Sequence, residues 1–315
     1  MRVCNCTHSK KAAAGTRNAL LDGPGPKVTL EFNASGYDLQ FNFALLSLKP
    51  SMTSHFSRVA FTYDRTRYHP PEVSGRIATA LTAPVEKLFR DPLFLEIGAG
   101  TGRIAVPIIA RGYRYIALDN NPAMLEVLRQ KVAGVARKAR LVEADARELP
   151  FERASLHAVI AVHCWHLIEG WQQALQESLR VLRPGGFLFE GWDRSNGESE
   201  DWRIQQKWQE ILAGLGYRLV RGRHQARLEE VERELVRYGL EPRSRIVADW
   251  VELRSPRTSL EMLLERIYSF TWAVPEEVFR PSVLELARWV EATYPDPDVE
   301  YPIHWQFVVR SSRVA

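Results

Sequence analysis

Between Phe94 and Arg103 the chain reads Phe-Leu-Glu-Ile-Gly-Ala-Gly-Thr-Gly-Arg, an apolar strand that must turn into a helix across Gly98, Gly100 and Gly102. Glycine lets the backbone take φ > 0 and approach a bound group with no Cβ in the way, and the amides beyond such a turn belong to a helix N-terminus. A nucleotide-like ligand suits that geometry. A dinucleotide fingerprint wants glycines at the first, third and sixth positions. Here the sixth is Arg103, and the third glycine comes one residue early at Gly102. The pyrophosphate reading, and an NAD(P)-dependent oxidoreductase with it, is weakened.

The rest of the chain supplies a frame for that turn. Amphipathic helical spacing runs through Phe56 to Tyr63 and Val73 to Leu81, ahead of a first strand at Leu93 to Ile97. After the glycine turn come a helix over Ile104 to Ile109, bent near its start by Pro107, a strand at Tyr115 to Leu118 and a helix at Pro122 to Val132. Strands at Arg140 to Glu143 and Leu156 to His163 follow, then a helix at Trp171 to Leu182 stopped by Arg183-Pro184-Gly185-Gly186, and a strand at Phe187 to Trp192. Strands alternating with helices predict an α/β fold with a doubly wound, mostly parallel sheet. Beyond Asp193 the sequence turns charged and helical to about Tyr238. Strand-like runs at Ile246 to Leu253 and Ile303 to Val309 then enclose helices around Leu260 to Ile267 and Glu276 to Ala292; the two strands are expected at the sheet edge, one of them antiparallel.

In an open α/β sheet a ligand lies beyond the carboxyl ends of the strands at the switch point. The first such end is the glycine turn. The second is Asp119, about 20 residues on, where a carboxylate can accept from both ribose hydroxyls unless it only caps the helix at Asn121-Pro122, a task Asn120 or Asn121 could also perform. The third is Glu143-Ala144-Asp145-Ala146 with Leu149-Pro150-Phe151 after it. These segments, with Ala117 to Leu125 and Arg180 to Gly186, cover residues 91 to about 193 in order and together resemble the class I S-adenosylmethionine-dependent methyltransferases of small molecules, the methyltransferase type 11 group.

The resemblance implies a seven-stranded Rossmann-like fold with helical insertions over the strand C-terminal ends, S-adenosyl-L-methionine as cofactor, and methyl transfer to a small-molecule acceptor by in-line displacement. It implies a cofactor site of Glu96, Gly98, Ala99, Gly100, Thr101, Gly102, Asp119, Asn120, Met124, Asp145, Ala146, Val162 and His163, with Asp145 at the adenine amino group. Phe61 to Arg67 resembles the segment that closes over the cofactor, which adds Tyr63 or else leaves it a core aromatic. The fourth strand end, His163-Cys164-Trp165-His166, faces the transferring methyl, so His163 and His166 are the candidate bases. A packed histidine is the competing reading, and Cys164 reads as buried. A fold relative that binds the cofactor without turnover remains the alternative function.

The DNA-directed families' Asn-Pro-Pro-Tyr, Asp-Pro-Pro-Tyr and Pro-Cys segments do not occur. A net charge of +4 comes from arginines interleaved with acids, and the one compact basic run, Arg218 to Arg227, is followed by Glu229, Glu230, Glu232 and Glu234 as on a self-paired, solvated helix. Nucleic acid is therefore not expected, nor is a metal: Cys4 and Cys6 lack a second ligand pair, and three cysteines fit a reducing cytoplasm. No run of about 18 apolar residues suggests a membrane span. Residues 1–51 read as an extension, either a hairpin of Val28 to Phe32 with Leu39 to Leu45 across Asn33 to Asp38, or a segment foreign to the fold with translation beginning at Met52. Residues 52–315 read as the catalytic domain, with a binding core at 91–193 and acceptor-side helices at 52–90 and 194–300. Trp192, Trp202, Trp250, Trp272 and Trp305 are candidates to line an apolar acceptor pocket.

Overall fold

The computed structural model describes residues 28–33, 36–41, 56–57, 60, 64, 67–134, 138–195, 197–219 and 223–315. Two compact units divide the chain, Met1–Leu48 and Lys49–Ala315. In the first, β1 (Val28–Asn33) pairs antiparallel with β2 (Gly36–Phe41), from Val28 opposite Phe41 to Asn33 opposite Gly36. The expected hairpin is present with a shorter connection than Asn33 to Asp38, because Gly36 already pairs with Asn33.

The second unit alternates as expected. Its first described helix, α1 (Pro71–Glu86), opens on a proline whose missing amide costs nothing in a first turn. Then come β3 (Leu93–Ile97), α2 (Ala105–Ala110), β4 (Arg114–Asp119), α3 (Pro122–Val132), β5 (Ala139–Glu143) and β6 (Leu156–Val162). They are followed by α4 (Trp171–Val181), β7 (Leu182–Ser195), α5 (Glu200–Gly214), α6 (Arg223–Arg237), β8 (Arg243–Arg254), α7 (Pro256–Leu264), α8 (Glu276–Thr293) and β9 (Tyr301–Arg313). Pro107 is the third residue of α2, where an amide has no intrahelical acceptor, so the short helix tolerates it.

The seven-stranded sheet has the order β5-β4-β3-β6-β7-β9-β8, and β9 alone runs antiparallel to its neighbours. The two final strands thus add to the sheet edge beyond β7 as expected, with the antiparallel last strand lying between β7 and β8. One departure concerns β7. Leu182 is already extended and pairs with Leu156, so the strand begins at the end of α4 instead of after Gly186.

Both faces of the sheet are covered. Phe94, Ala158, Ile160 and Phe189 pack under α1, α2 and α3, while Leu95, Ile97, Val159, Ala161 and Leu188 pack under α4 and α6. Successive residues of one strand therefore serve opposite cores, which is why the central strands are apolar throughout. A third core joins α5, α7 and α8 through Trp208, Leu212, Leu263, Val283 and Leu286. Because α5 follows the end of β7 and α7 follows the end of β8, these helices stand at the carboxyl end of the sheet. Among the described residues no helix is long and apolar enough to cross a membrane.

Candidate active site

The chain winds outward from β3 through β4 to β5, then returns to β6 on the other side of β3, so the switch point lies between the ends of β3 and β6. At that point Gly98, Gly100 and Gly102 have φ of +64°, +54° and +89°. Their reasons differ. A Cβ on Gly98 would lie 2.9 Å from Cβ of Cys164, and one on Gly102 only 2.3 Å from a Leu128 methyl, so both let the turn sit against neighbouring elements. At Gly100 a Cβ would meet nothing within 4 Å. That position faces open space, and its bareness suits a ligand rather than packing.

The turn is tied to β4. Ala99 donates its amide to the Leu118 carbonyl at 3.0 Å, and Gly100 donates to Oδ2 of Asp119 at 2.8 Å. Asp119 Oδ1 accepts the Asn121 amide at 2.9 Å; burial raises the carboxyl's pKa while these backbone donors oppose the rise. The N-cap of α3 is Asn121, whose Oδ1 accepts from Ala123 and Met124. Asp119 is therefore not the cap, and with backbone amides as its donors its carboxylate keeps acceptor capacity for a further donor. Thr101 donates its hydroxyl to Asp64 Oδ1 at 2.6 Å and its carbonyl accepts from Lys131 at 2.7 Å; Lys131 and Asp64 form an ion pair. Beneath the turn, Glu96 accepts the Tyr115 hydroxyl at 2.9 Å, and burial pushes its carboxyl up to about 8.

The third strand end lies beside the second, because Ala144 donates to the Asp119 carbonyl at 3.2 Å. Asp145 follows, half exposed, accepting the Arg147 amide and guanidinium, and that arginine holds its carboxyl below the usual range. Ala146 and Val162 are buried, and Asn120 is exposed beside Asp119. Met124 is buried with Ala60 and Val127 in an apolar cluster against Phe56. Tyr63 lies outside the described residues.

At the fourth strand end His163 leaves β6 with φ of +51°. Its Nε2 accepts the Asp193 amide at 2.8 Å and lies 3.0 Å from Asp193 Oδ2. The same carboxylate receives Arg103 Nη1 at 2.7 Å on Oδ2 and His69 Nε2 at 2.8 Å on Oδ1. Burial works against the Asp193 charge, but Arg103 and the His69 hydrogen bond oppose it, and the carboxyl lies well below the ordinary range. Arg103, the residue that spoils the dinucleotide spacing, thus clamps the glycine turn to β7. His166 stands on a 3-10 turn just beyond, half-buried with its buried Nδ1 unpartnered, and desolvation and neighbouring basic groups bring it down to about 3.

The profile of the family described as "Methyltransferase domain" matches residues 95–189, the span from β3 to β7 that carries all four strand ends. An uncharacterised methyltransferase of Mycobacterium tuberculosis is 29% identical over 245 residues, covering 78% of this chain and 88% of its own. A demethylmenaquinone methyltransferase of Clavibacter sepedonicus is 35% identical over 143 residues, 45% of this chain and 58% of its own. A solved structure from Anaeromyxobacter dehalogenans, described as a type II methyltransferase, shares the fold with a TM-score of 0.50 at 16% identity, covering 75% of this chain and 95% of that one. The chain is a class I S-adenosylmethionine-dependent methyltransferase.

The methyltransferase fold brings the glycine turn, Asp119, Asp145, Val162 and His163 to one end of one sheet. It does not gather the tryptophans. Trp250 and Trp305 stack on β8 and β9, Trp272 meets Phe56, Trp202 is exposed, and Trp192 lies under Arg310. The basic run is not all solvated surface either: His224 turns inward to His163 and His166, with ring centroids 5.0 and 4.8 Å apart. Sequence reasoning passed over Asp64, His69, Arg103, Lys131 and Asp193. The one signal was Arg103, a charge where a turn of this kind tolerates glycine.

Proposed function

We propose that this methyltransferase acts on a small-molecule acceptor seated above the ends of β6 and β7. The cofactor is held by Gly98 to Gly102, Asp119, Asn120, Asp145 and Ala146. The single observation that carries the reading is Gly100: its amide is held by Asp119 while the space its Cβ would take is open. In that cradle Asp119 accepts the ribose hydroxyls, Asp145 lies at the adenine edge, and the buried Glu96 supports the floor through its Tyr115 hydrogen bond. Met124, enclosed in its apolar cluster, backs the site through packing.

S-adenosylmethionine supplies an electrophilic methyl on sulfur. The chain's part is to hold the acceptor in line and keep water out, and orientation of this kind is worth roughly 7 kcal/mol or more of barrier. His163 lies at the right strand end, but its Nε2 already accepts the Asp193 amide, and His166 at about 3 is a weak base at neutral pH. A base works best with a pKa near the operating pH, so both histidines are assigned to shaping the acceptor site rather than to proton abstraction. Cys164, a buried free thiol, suits a reducing cytoplasm.

Calorimetry with S-adenosylhomocysteine tests the reading. Wild type should bind, and Asp119→Ala should lose about 1–3 kcal/mol, the cost of removing hydrogen bonds to a charged group. Unchanged affinity in the variant, or binding of NADH in place of the adenosyl compound, would overturn it.

A further inference from the structure

Beside the end of β6, basic side chains from the strand end and from α6 face one narrow crevice. It is lined by His163, Cys164, Trp165 and His166 from the strand end and by His224 and Arg227 from α6.

Two of these groups are buried without the partners that burial demands. Of the lining residues, His166 Nδ1 and Arg227 Nη1 are buried and make no hydrogen bond among the described residues. Arg227 forms an ion pair with the half-exposed Glu230 through Nε at 3.2 Å and lies over the Trp171 ring at 4.9 Å, while its buried Nη1 makes no hydrogen bond. The carboxylate on the far side, Asp193, is already engaged by Arg103 and His69. Buried polar groups are ordinarily paired, so the unpartnered Nη1 of Arg227 and the unpartnered ring nitrogen of His166, on facing walls of the crevice, mark a place for a ligand's polar group.

We propose that this crevice is the oxyanion subsite of the acceptor pocket: the methyl acceptor carries a carboxylate or phosphate group that Arg227, His166 and His224 recognise. The proposal rests on the reading that the acceptor lies above β6 and β7, and it adds the chemical class of that acceptor. A guanidinium presents a planar fork matched to two oxygens of such a group, and the imidazoles supply further donors. The crevice is closed as it stands, so the proposal requires its walls to part on binding. The body of α6 stays seated, since Arg310 holds the Leu228 carbonyl at 2.8 Å and Glu232 at 2.9 Å.

The test is an NMR titration of the histidine side-chain nitrogens with inorganic phosphate and, separately, acetate, on the full chain saturated with S-adenosylhomocysteine. The His166 and His224 signals should shift saturably with at least one anion; phosphate alone indicates a phosphorylated acceptor, acetate alone a carboxylate. Arg227→Gln should weaken that anion by about tenfold or more while leaving S-adenosylhomocysteine affinity unchanged. No shift with either anion, or full anion affinity in Arg227→Gln, would overturn the proposal. If Arg227→Gln loses S-adenosylhomocysteine affinity through damage to the fold, His224→Asn replaces it with the same expected loss of anion affinity. Failure of wild type to bind S-adenosylhomocysteine overturns the cofactor reading instead, and the anion titration is then decided on the chain without it.

Discussion

Glu96 lies two residues before the first glycine, on the face of β3 that meets α1 and α2, with 2% of its surface exposed and the Tyr115 hydroxyl as its hydrogen-bond donor. Burial dominates, and the folded chain keeps this carboxyl protonated up to about pH 8 where the ordinary value is 4.5. Between those values the folded state binds a proton that the unfolded chain has released, so this group's contribution to stability falls as pH rises from 4.5 through 8. Glu96→Gln keeps the acceptor for Tyr115 and removes the titration. Its melting temperature should match wild type near pH 4.5 and exceed it progressively toward pH 8, reaching the equivalent of a few kcal/mol. Parallel melting curves across that range would show that Glu96 is not titrating in the folded chain. The sequence places Glu96 beneath the turn, yet its neutral form follows only from the apolar side chains that enclose it.

At the scale of elements, β9 holds the far half of the sheet together. Arg310, fully buried, donates to both oxygens of Glu190 on β7 at 2.7 and 2.6 Å, and to Glu232 and Leu228 on α6. One side chain thus joins two strands and the helix that carries His224 and Arg227. Removing one partner of such a pair strands a buried charge, so Arg310→Met should cost about 3–5 kcal/mol in urea unfolding. Replacing Glu190 by Leu in the same chain should recover most of that loss, because an apolar pair of similar volume avoids the desolvation of two ions. Additive losses would point to separate roles. Sequence periodicity finds β8 and β9 but not their order, since an apolar run reports that a strand is covered and not which strand lies beside it.

For the molecule as a whole, Lys49–Ala315 forms one compact unit and Met1–Leu48 another. A chain beginning at Met52 should therefore melt at the same temperature as the full chain and bind S-adenosylhomocysteine equally well; a lower melting temperature, read by calorimetry, would show that the first 51 residues contribute to the fold. Within the larger unit, the sequence by itself determined the alternation of strands and helices, the glycine turn and the carboxylates that end β4 and β5. These are local matters of φ > 0, period and burial, expressed within a few residues of one another. The tertiary structure alone decided that His69 and Arg103 meet Asp193 across 124 and 90 residues, that the last strand lies between β7 and β8, and that His224 and Arg227 face β6. Contacts between residues so far apart depend on which helix faces which strand, and a charged helix reads the same from its own sequence whether its basic side chains meet solvent or a crevice.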